Sequence, residues 1–187
     1  MEILIACEYS GVVRDSFAAK GHNVWSCDLL PTEKPGQHYQ GDVRDILYEG
    51  WDLLIAHPEC TYLCNSGVRW LHSDITRWPK LFDAAAFYKL LLDAPIEKKC
   101  IENPIFHKYA RQLIGSNHTQ IVQPWWFGHG ETKATGLNLY NLPKLKPTEI
   151  VDGRAALVHR MPPSPERSKM RSKTCTGLGA AMAEQWT

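Results

Sequence analysis

Four short apolar runs, separated by polar or helical segments, set the architecture that this sequence can adopt. The runs are Glu2–Cys7, Asn23–Cys27, Asp52–Ala56 and Lys98–Ile101. Unbroken apolarity over so few residues is typical of strands that are buried on both faces of a parallel sheet. Helical spacing of apolar residues occurs in Val12–Lys20 and, most strongly, in Trp78–Ala94. This alternation predicts an α/β protein with a doubly wound, mostly parallel sheet.

The second half of the sequence predicts the remaining elements. They are a helix at His107–Ile114, strands near Thr119–Gln123 and Thr135–Tyr140, and a closing helix at Thr174–Trp186. Two stretches that contain several prolines or glycines, Pro31–Gln40 and Leu142–Pro165, are predicted to be irregular. The length of 187 residues suits one domain that spans residues 1–187.

The composition indicates a globular protein and leaves the choice of partner open. The 21 basic and 20 acidic side chains give a net charge of +1, so contact with nucleic acid would require a local basic patch. No stretch approaches the ~20 apolar residues of a membrane span, and we expect a cytoplasmic protein. Its six cysteines are then expected to be reduced, with Cys7, Cys27 and Cys100 as small core residues.

Residues suited to chemistry follow the apolar runs at the point where each run ends. Glu8, Asp28, Cys60 and Glu102 lie at or just beyond the ends of the four predicted strands. Doubly wound sheets bind their ligands beyond the carboxyl ends of the strands. Core packing alone would not predict this common placement, so we interpret all four as candidate site residues.

The first two strand ends have the layout with which α/β folds hold a nucleoside. The loop Glu8–Gly11 would let the backbone approach the ligand, and the Asp28 carboxylate would accept hydrogen bonds from ribose hydroxyls. Asp42 could contact an adenine amino group, although a Gly-Asp pair is also an ordinary turn. Because the loop contains a single glycine, a simple strand-to-helix turn followed by a solvated aspartate is an open alternative.

The loop after the third strand presents a cysteine that could act as a nucleophile. Cys60 comes two residues after Pro58, and partial exposure on a stiffened loop favours a reactive thiol. An unreactive loop cysteine is one alternative, and a metal site built from His57, Cys60 and Cys64 is another. No fourth ligand nearby in the sequence completes a zinc site, so no metal is predicted.

Glu102 ends an otherwise apolar strand. Burying a carboxylate costs free energy unless it has a partner, and this favours a role in the site. The alternative is that Glu102 holds a loop backbone through hydrogen bonds.

Several segments, taken in order, resemble the motifs of a known enzyme family, the DNA cytosine-5 methyltransferases. They are CEYSG, CDL, GDVRDI, DLLIAHPEC-T, IENP and FGHGETKATGL, and they extend from Ile3 to about Leu139. The closing run RSKTCTGLGAAMAEQW is similar to that of short phage- and prophage-type members, which act in a bacterial host cell. The resemblance implies a Rossmann-like methyltransferase fold, S-adenosyl-L-methionine as cofactor and DNA as substrate. It implies cofactor contacts by Glu8, Tyr9, Ser10, Gly11, Asp28, Asp42 and Pro58.

The same resemblance implies roles for three catalytic residues. The Cys60 thiolate would attack C6 of a cytosine, while protonated Glu102 would hydrogen-bond N3 and the exocyclic amine. The family binds the cytosine carbonyl with an arginine that follows a Phe/Tyr-Gly turn. Here Phe127-Gly128 is followed by Lys133, which is assigned that role. The target base would be flipped out of a duplex or would be unpaired already.

The sequence departs from the family pattern beside the nucleophile. The family has proline directly before the cysteine, whereas this chain has Glu59. A neighbouring carboxylate is expected to raise the pKa of the Cys60 thiol, which disfavours the thiolate. A weakened or inactive site is therefore one possible outcome.

A second departure concerns target recognition. The interval Asn141–Lys173 is too short for the separate recognition domain of full-length members, so sequence selectivity would be low or would rest on a partner protein or on self-association. The end of this interval is basic, with Arg160, Arg167, Lys169, Arg171 and Lys173. Together with Trp125 and Trp126 it could bind phosphates and stack a base, although a solvated charged segment is the alternative.

The leading interpretation is therefore an enzyme that methylates cytosine C5 in DNA through a covalent adduct with Cys60. One alternative keeps this chemistry and changes the substrate to RNA or a free nucleotide. Another is a degenerate member that binds cofactor or DNA without transferring a methyl group, as Glu59 and Lys133 would allow.

Overall fold

One seven-stranded sheet organises the chain. The structure, a computed structural model, describes residues 1–187 apart from the side chains of residues 159 and 168. Within this description the strands are β1 (Glu2–Ala6), β2 (Asn23–Asp28), β3 (His38–Gln40), β4 (Leu53–Ala56), β5 (Lys98–Pro104), β6 (Gln120–Val122) and β7 (Thr135–Tyr140). Their order in the sheet is β3-β2-β1-β4-β5-β7-β6.

Helices connect these strands and cover both faces of the sheet. The described helices are α1 (Val12–Ala18), α2 (Trp70–Ser73), α3 (Arg77–Asp93), α4 (Lys108–Ile114), α5 (Leu157–Arg160), α6 (Arg167–Ser172) and α7 (Thr176–Gln185). The longest, α3, ends before Pro95, and the buried Lys99 Nζ donates hydrogen bonds to the carbonyls of Leu92 (2.6 Å) and Ala94 (2.7 Å). A lysine at a helix C-terminus satisfies carbonyls that have no partner within the helix.

The predicted mostly parallel sheet is confirmed. Strands β1 to β5 pair in parallel, and β7 runs antiparallel to both of its neighbours, β5 and β6. Parallel neighbours place their carboxyl ends at one edge. The loops that leave β1, β2, β4 and β5 therefore open at the same edge of the sheet.

Two sequence predictions about irregular stretches were wrong. The predicted loop Pro31–Gln40 ends in β3, which is held by pairing with β2 and by a 2.8 Å hydrogen bond between Ser26 Oγ and His38 Nδ1. The predicted irregular stretch Leu142–Pro165 contains the single turn of α5. Both elements are too short to show a hydrophobic period, so their formation depends on contacts with other segments.

Apolar side chains form a core on each face of the sheet. Successive residues of a strand point to opposite faces, so Ile3 and Leu4 belong to different cores. One core contains Leu4, Leu54, Ile101 and residues of α3 and α4, and the other contains Ile3, Ile55 and residues of α1 and α7. Cys27 and Cys100 are fully buried as predicted, and Cys7 is half-buried against the first core.

Among the described residues, no helix combines the length and the apolar character needed to cross a membrane.

Candidate functional site

The strand ends predicted to carry chemistry lie side by side. Glu8 follows β1, Asp28 is the last residue of β2, Cys60 lies in the loop after β4, and Glu102 lies in β5. The four strands are neighbours, with β1 between β2 and β4 and β5 next to β4. The four candidate residues therefore lie at one edge of the sheet, and their role as a functional site stays a prediction.

Glu8 shapes the loop between β1 and α1. Its buried carboxylate accepts hydrogen bonds from the backbone amides of Val13 (2.7 Å) and Arg14 (3.2 Å) and from Ser10 Oγ (3.2 Å). A carboxylate in this position satisfies amides that have no acceptor within the helix. Gly11 completes the turn at φ 69°, in the left-handed region that favours glycine. Direct contact between this loop and a cofactor stays a prediction.

Arg14 organises the same region, and sequence reasoning missed it. Its side chain is fully buried and reaches from α1 to the segment that precedes β3. The guanidinium donates hydrogen bonds to Ser26 Oγ, Thr32 Oγ1 and the carbonyls of Lys34 and Pro35 at 3.0–3.2 Å, and it pairs with Asp15 at 2.8 Å. One charged residue in a helix that otherwise shows a normal apolar period gives no sign of burial in the sequence.

Replacing Arg14 with methionine is expected to destabilise the fold by about 3–5 kcal/mol, because the change removes the charged donor from the buried Ser26 hydroxyl and from three partly buried acceptors. Urea unfolding at neutral pH would measure the loss. The matched control is Arg44→Met, since the Arg44 side chain is 54% exposed and its ion pair with Asp42 should contribute about 0–1 kcal/mol. Equal losses in the two variants would contradict the structural role of Arg14.

Two aspartates lie on the predicted cofactor side. Asp28 is half-buried, burial raises its pKa, and its Oδ1 accepts a 2.9 Å hydrogen bond from the Leu30 amide. Asp42 caps the turn Val43–Asp45 by accepting hydrogen bonds from the Arg44 amide and Nη1, both at 2.9 Å. Both carboxylates remain candidates for the ribose and adenine contacts that were predicted from sequence.

Buried contacts hold the loop that carries Cys60. Pro58 is buried, and its carbonyl accepts a 3.2 Å hydrogen bond from Asn103 Nδ2 in β5. The Cys60 carbonyl accepts hydrogen bonds from the amides of Leu63 and Cys64, both at 3.1 Å, which folds the chain into a turn. The Cys60 side chain is half-buried at this turn. The fully buried Asn103 was not identified from sequence as the residue that fixes this loop.

The pKa of the Cys60 thiol is raised far above its usual value, but not for the predicted reason. The causes are a hydrogen bond to Cys64, burial, and the negative charge of Glu102, while Lys133 acts in the opposite direction. Glu59 was expected to raise this pKa, yet its side chain is exposed to solvent. The Cys64 thiol and the Glu102 carboxylate, together with burial, therefore set the pKa of Cys60.

Cys64 has the opposite character and was considered from sequence only as a metal ligand. The hydrogen bond from Cys60 lowers the pKa of the Cys64 thiol to about 5 against the effect of burial, with help from the Ser66 hydroxyl and the amides of Ser66 and Gly67. Ser66 Oγ lies 3.0 Å from the Cys64 sulfur. The Ser66 hydroxyl and the amides of Ser66 and Gly67 therefore favour the thiolate form of Cys64.

Glu102 faces a histidine that sequence reasoning did not place beside it. The side chain of Glu102 is 15% exposed, and its Oε2 lies 3.3 Å from Nδ1 of His57, the residue that follows β4. Burial acts to raise the pKa of Glu102, but the hydrogen bond with His57 and the electrostatic effects of His57, Lys133 and His118 outweigh it and lower the pKa. Glu102 is therefore a carboxylate near neutral pH in this arrangement.

The positive charge of Lys133 acts to lower the pKa of both Cys60 and Glu102. Glu102 and Lys133 also line one cavity of about 190 Å³, which is bounded on the other side by residues of α6 and α7. Lys133 Nζ donates a 2.9 Å hydrogen bond to the carbonyl of Arg171. The structure thus places Glu102 and Lys133 on the lining of one cavity, which does not include Cys60, and the catalytic roles of the three side chains stay predictions.

The predicted basic segment packs against the candidate cofactor loop. Lys169 and Lys173 both form ion pairs with Glu33, at 3.1 and 2.6 Å. The Tyr9 hydroxyl donates a 2.7 Å hydrogen bond to the Lys169 carbonyl. The α6 segment therefore connects the predicted cofactor side of the site to Lys133.

The other predicted nucleic-acid contacts also have partners within the chain. Arg167 Nε donates a 2.9 Å hydrogen bond to the Met161 carbonyl, and the guanidinium of Arg154 lies 4.0 Å from the ring centre of Trp125. Trp126 packs against a hydrophobic core. Stacking of a base on Trp125 would require Arg154 to move, and the predicted role of these residues stays a prediction.

Among the side chains that the structure describes, no group of three or more His, Cys, Asp or Glu residues is arranged to hold a metal ion. His57, Cys60 and Cys64 lie in one loop but do not form such a group.

Comparison with solved structures relates this fold to methyltransferases. The chain is similar to a protein described as a DNA modification methyltransferase encoded within a prophage of E. coli, with 15% identity and a TM-score of 0.51 over 81% of this chain and 52% of that chain. It is also similar to the Entamoeba histolytica methyltransferase EhMeth, with 14% identity and a TM-score of 0.48 over 88% and 60% of the two chains. The chain thus spans about half of the E. coli protein.

No family model matches the chain, and no curated protein sequence matches it. The strand order and the similarity to the E. coli protein show a Rossmann-like α/β fold.

Proposed function

We propose that the protein methylates cytosine C5 in DNA, with S-adenosyl-L-methionine as methyl donor and Cys60 as nucleophile. The observation that supports this most directly is that Glu102 and Lys133 line one cavity of about 190 Å³ and that the charges of both act on the pKa of the Cys60 thiol. Typical ligand pockets measure about 300–1,000 Å³. The smaller volume suits one heterocyclic ring better than a whole nucleotide.

Each of the three side chains would act on a different atom or edge of the cytosine ring. The Cys60 thiol loses its proton to solvent and its sulfur adds to C6, which makes C5 nucleophilic. C5 then takes the methyl group, and the sulfur leaves again when the C5 proton is removed. Glu102 stabilises the adduct through N3 and the exocyclic amine, and Lys133 donates a hydrogen bond to the ring carbonyl. Since Glu102 is ionised before the base binds, it must gain a proton, and His57 is the nearest donor at 3.3 Å.

The residues on the cofactor side fit a nucleoside-containing group. Asp28 ends β2 as a half-buried carboxylate, and Glu8 and Gly11 fix a tight turn after β1. When bound, S-adenosyl-L-methionine supplies an electrophilic methyl group. Asp28 would accept hydrogen bonds from ribose hydroxyls, and Tyr9, Ser10, Asp42 and Pro58 are the other candidate contacts. Glu8 would act mainly by holding the loop in shape.

Binding without methyl transfer is the second candidate function. It is favoured by the raised pKa of the Cys60 thiol and by the hydrogen bond from Lys133 to the Arg171 carbonyl, which uses one of the three N–H donors of the ammonium group. This candidate predicts that the protein binds cofactor or DNA but labels no cytosine.

One labelling experiment separates the candidates. The protein is incubated with S-adenosylmethionine carrying a radioactive methyl group and, separately, with duplex DNA, single-stranded DNA, RNA and dCMP. We expect label in DNA, and no label in the same DNA prepared with 5-methylcytosine in place of cytosine. Label in the 5-methylcytosine DNA would show another target atom, label only in RNA or dCMP would change the substrate, and no label despite cofactor binding would support the second candidate.

A further inference from the structure

Large apolar side chains remain in solvent on the segments that follow the Cys60 loop. Trp70 in α2 is 48% exposed, Ile75 just before α3 is 83% exposed, and Phe82 in α3 is 49% exposed. The exposed side chains of residues 61–83 and 107–111 are called the α2–α4 surface below. Apolar side chains that are exposed together indicate a surface on which another molecule binds.

Ring contacts join the three helices of this surface. The Trp78 ring lies 5.1 Å from the Tyr109 ring and 6.3 Å from the Phe82 ring, measured between ring centres. The His72 ring lies 5.7 Å from the Tyr109 ring, and Trp78 Nε1 donates a 2.9 Å hydrogen bond to the Leu71 carbonyl. The rings are therefore held in fixed positions by contacts between α2, α3 and α4.

Positive charge is concentrated on the same surface. Its five basic side chains are Arg69, Arg77, Lys80, Lys108 and Arg111, and its two acidic side chains are Asp74 and Asp83, in a protein of net charge +1. Among the described side chains, none of the five basic groups forms an ion pair. Their charges are therefore available to attract a polyanion.

Several of these cations lie directly over aromatic rings. The guanidinium of Arg77 lies 4.8 Å from the ring centre of Tyr62, and Lys108 Nζ lies 4.7 Å from that of Tyr109. The Arg77 Nε atom is buried and has no hydrogen-bond partner among the described residues. A phosphate oxygen is a suitable acceptor for the Arg77 guanidinium, and rings next to cations are how proteins hold the bases and phosphates of an unpaired strand.

The surface begins beside the candidate nucleophile. Tyr62 comes two residues after Cys60, and its carbonyl lies 2.8 Å from Nε2 of His107, the residue before α4. The chain runs from the carboxyl end of β4 through α2 to the start of α3. Arg77 and Lys80 face Tyr62, whereas Trp78 and Phe82 face each other, so the surface wraps around the start of α3 at the edge of the sheet that carries the candidate site.

We propose that the α2–α4 surface binds an unpaired DNA strand, with phosphates against its basic side chains and bases stacked on Trp70 and Phe82. The choice of DNA among polyanions rests on the proposed function. An unpaired strand fits better than a duplex, because the bases of a duplex stack on each other and do not offer their faces to protein rings. A strand on this surface reaches the Cys60 loop with its bases already unpaired.

Binding to the full chain without a methyl donor provides the test, measured by fluorescence anisotropy. The probes are a short labelled DNA strand of mixed sequence that does not pair with itself, its duplex with the complement, and an RNA strand of the same sequence. We expect the DNA strand to bind severalfold more tightly than the duplex and the RNA. Its affinity should fall as the salt concentration rises, because bound phosphates release counterions.

A pair of lysine substitutions tests the basic side chains. Replacing Lys80 and Lys108 together with glutamine should weaken binding of the DNA strand about tenfold and reduce the slope of log affinity against log salt by about 1.4, or about 0.7 for each phosphate contact. The matched control replaces Lys144 and Lys146 with glutamine, which removes the same charge from two exposed positions outside this surface. This control should keep the affinity nearly unchanged.

Phe82→Ala tests stacking at a position where alanine suits the helix. The variant should bind the DNA strand about fivefold or more weakly, because it removes a ring on which a base stacks. Tyr48→Ala is its control, since Tyr48 is 63% exposed and lies outside the surface. Circular dichroism of all variants would show that they are folded.

The proposal is overturned if the duplex or the RNA binds more tightly than the DNA strand, or if either variant of the surface binds no more weakly than its control. The labelling experiment gives a separate answer. Tight binding of the strand without label in any cytosine would refute the proposed function alone. Label in DNA, together with full affinity after replacement of Lys80 and Lys108, would refute this surface alone.

Discussion

Replacing Cys60 with alanine is expected to lower the rate of methyl transfer to DNA by about 10³-fold or more, because no other group can form the adduct at cytosine C6. Binding of S-adenosylmethionine should hardly change, since the candidate cofactor residues Asp28 and Tyr9 belong to other loops. Label incorporation into DNA measures the first effect, and titration calorimetry measures the second. A loss of both would indicate a folding defect.

The control for this variant is the replacement of another cysteine, Cys100, which lies in a neighbouring strand. Cys100 is fully buried in β5, and its side chain lies in the core on the face that contains α1 and α7. Cys100→Ala should cost some stability but leave the rate close to that of the unchanged protein. Full activity in Cys60→Ala would rule out a thiol adduct at this residue, and methylation of an exocyclic amine would then become the better explanation.

The sequence carried enough information to predict the fold, but not all of its elements. Four central strands correspond to the predicted runs Glu2–Cys7, Asn23–Cys27, Asp52–Ala56 and Lys98–Ile101. These runs are mainly apolar because both faces of the strands are covered. Strand β3 could not be predicted, since its three residues are polar or half-buried and it forms by pairing with β2. Short edge strands of this kind depend on tertiary context.

The sequence allowed a candidate site residue to be predicted only where that residue directly follows a predicted strand. Cys60 and Glu102 were found because each follows an apolar run. His57, Arg14 and Cys64 were not assigned their observed roles, because each role depends on a partner from a different turn or strand. The contact between His57 and Glu102 joins residues 45 positions apart, and no periodic pattern encodes it.

Replacing Glu102 with glutamine is expected to lower the rate of methyl transfer by about 10²–10³-fold, the usual cost of removing a group that stabilises developing charge. Glutamine has nearly the same shape, so folding should be retained. The lowered pKa of Glu102 means that its charge stabilises the fold above its ordinary pKa of about 4.3, and that this stabilisation is lost as the pH falls through the lowered value. The variant should therefore be less stable than the unchanged protein at neutral pH, and the difference should disappear in acid.

Comparison with His57→Gln distinguishes a chemical role of Glu102 from a structural one. If Glu102 acts on the base, Glu102→Gln should lose activity at every pH, because glutamine cannot carry the exchangeable proton. His57→Gln keeps the carboxyl group, so its activity should recover as the pH is lowered and solvent protonates Glu102 directly. A Glu102→Gln protein that is unfolded, or that binds and methylates DNA normally, would return Glu102 to the role of a loop-holding carboxylate. Circular dichroism and the pH profile of label incorporation, measured together, would distinguish these cases.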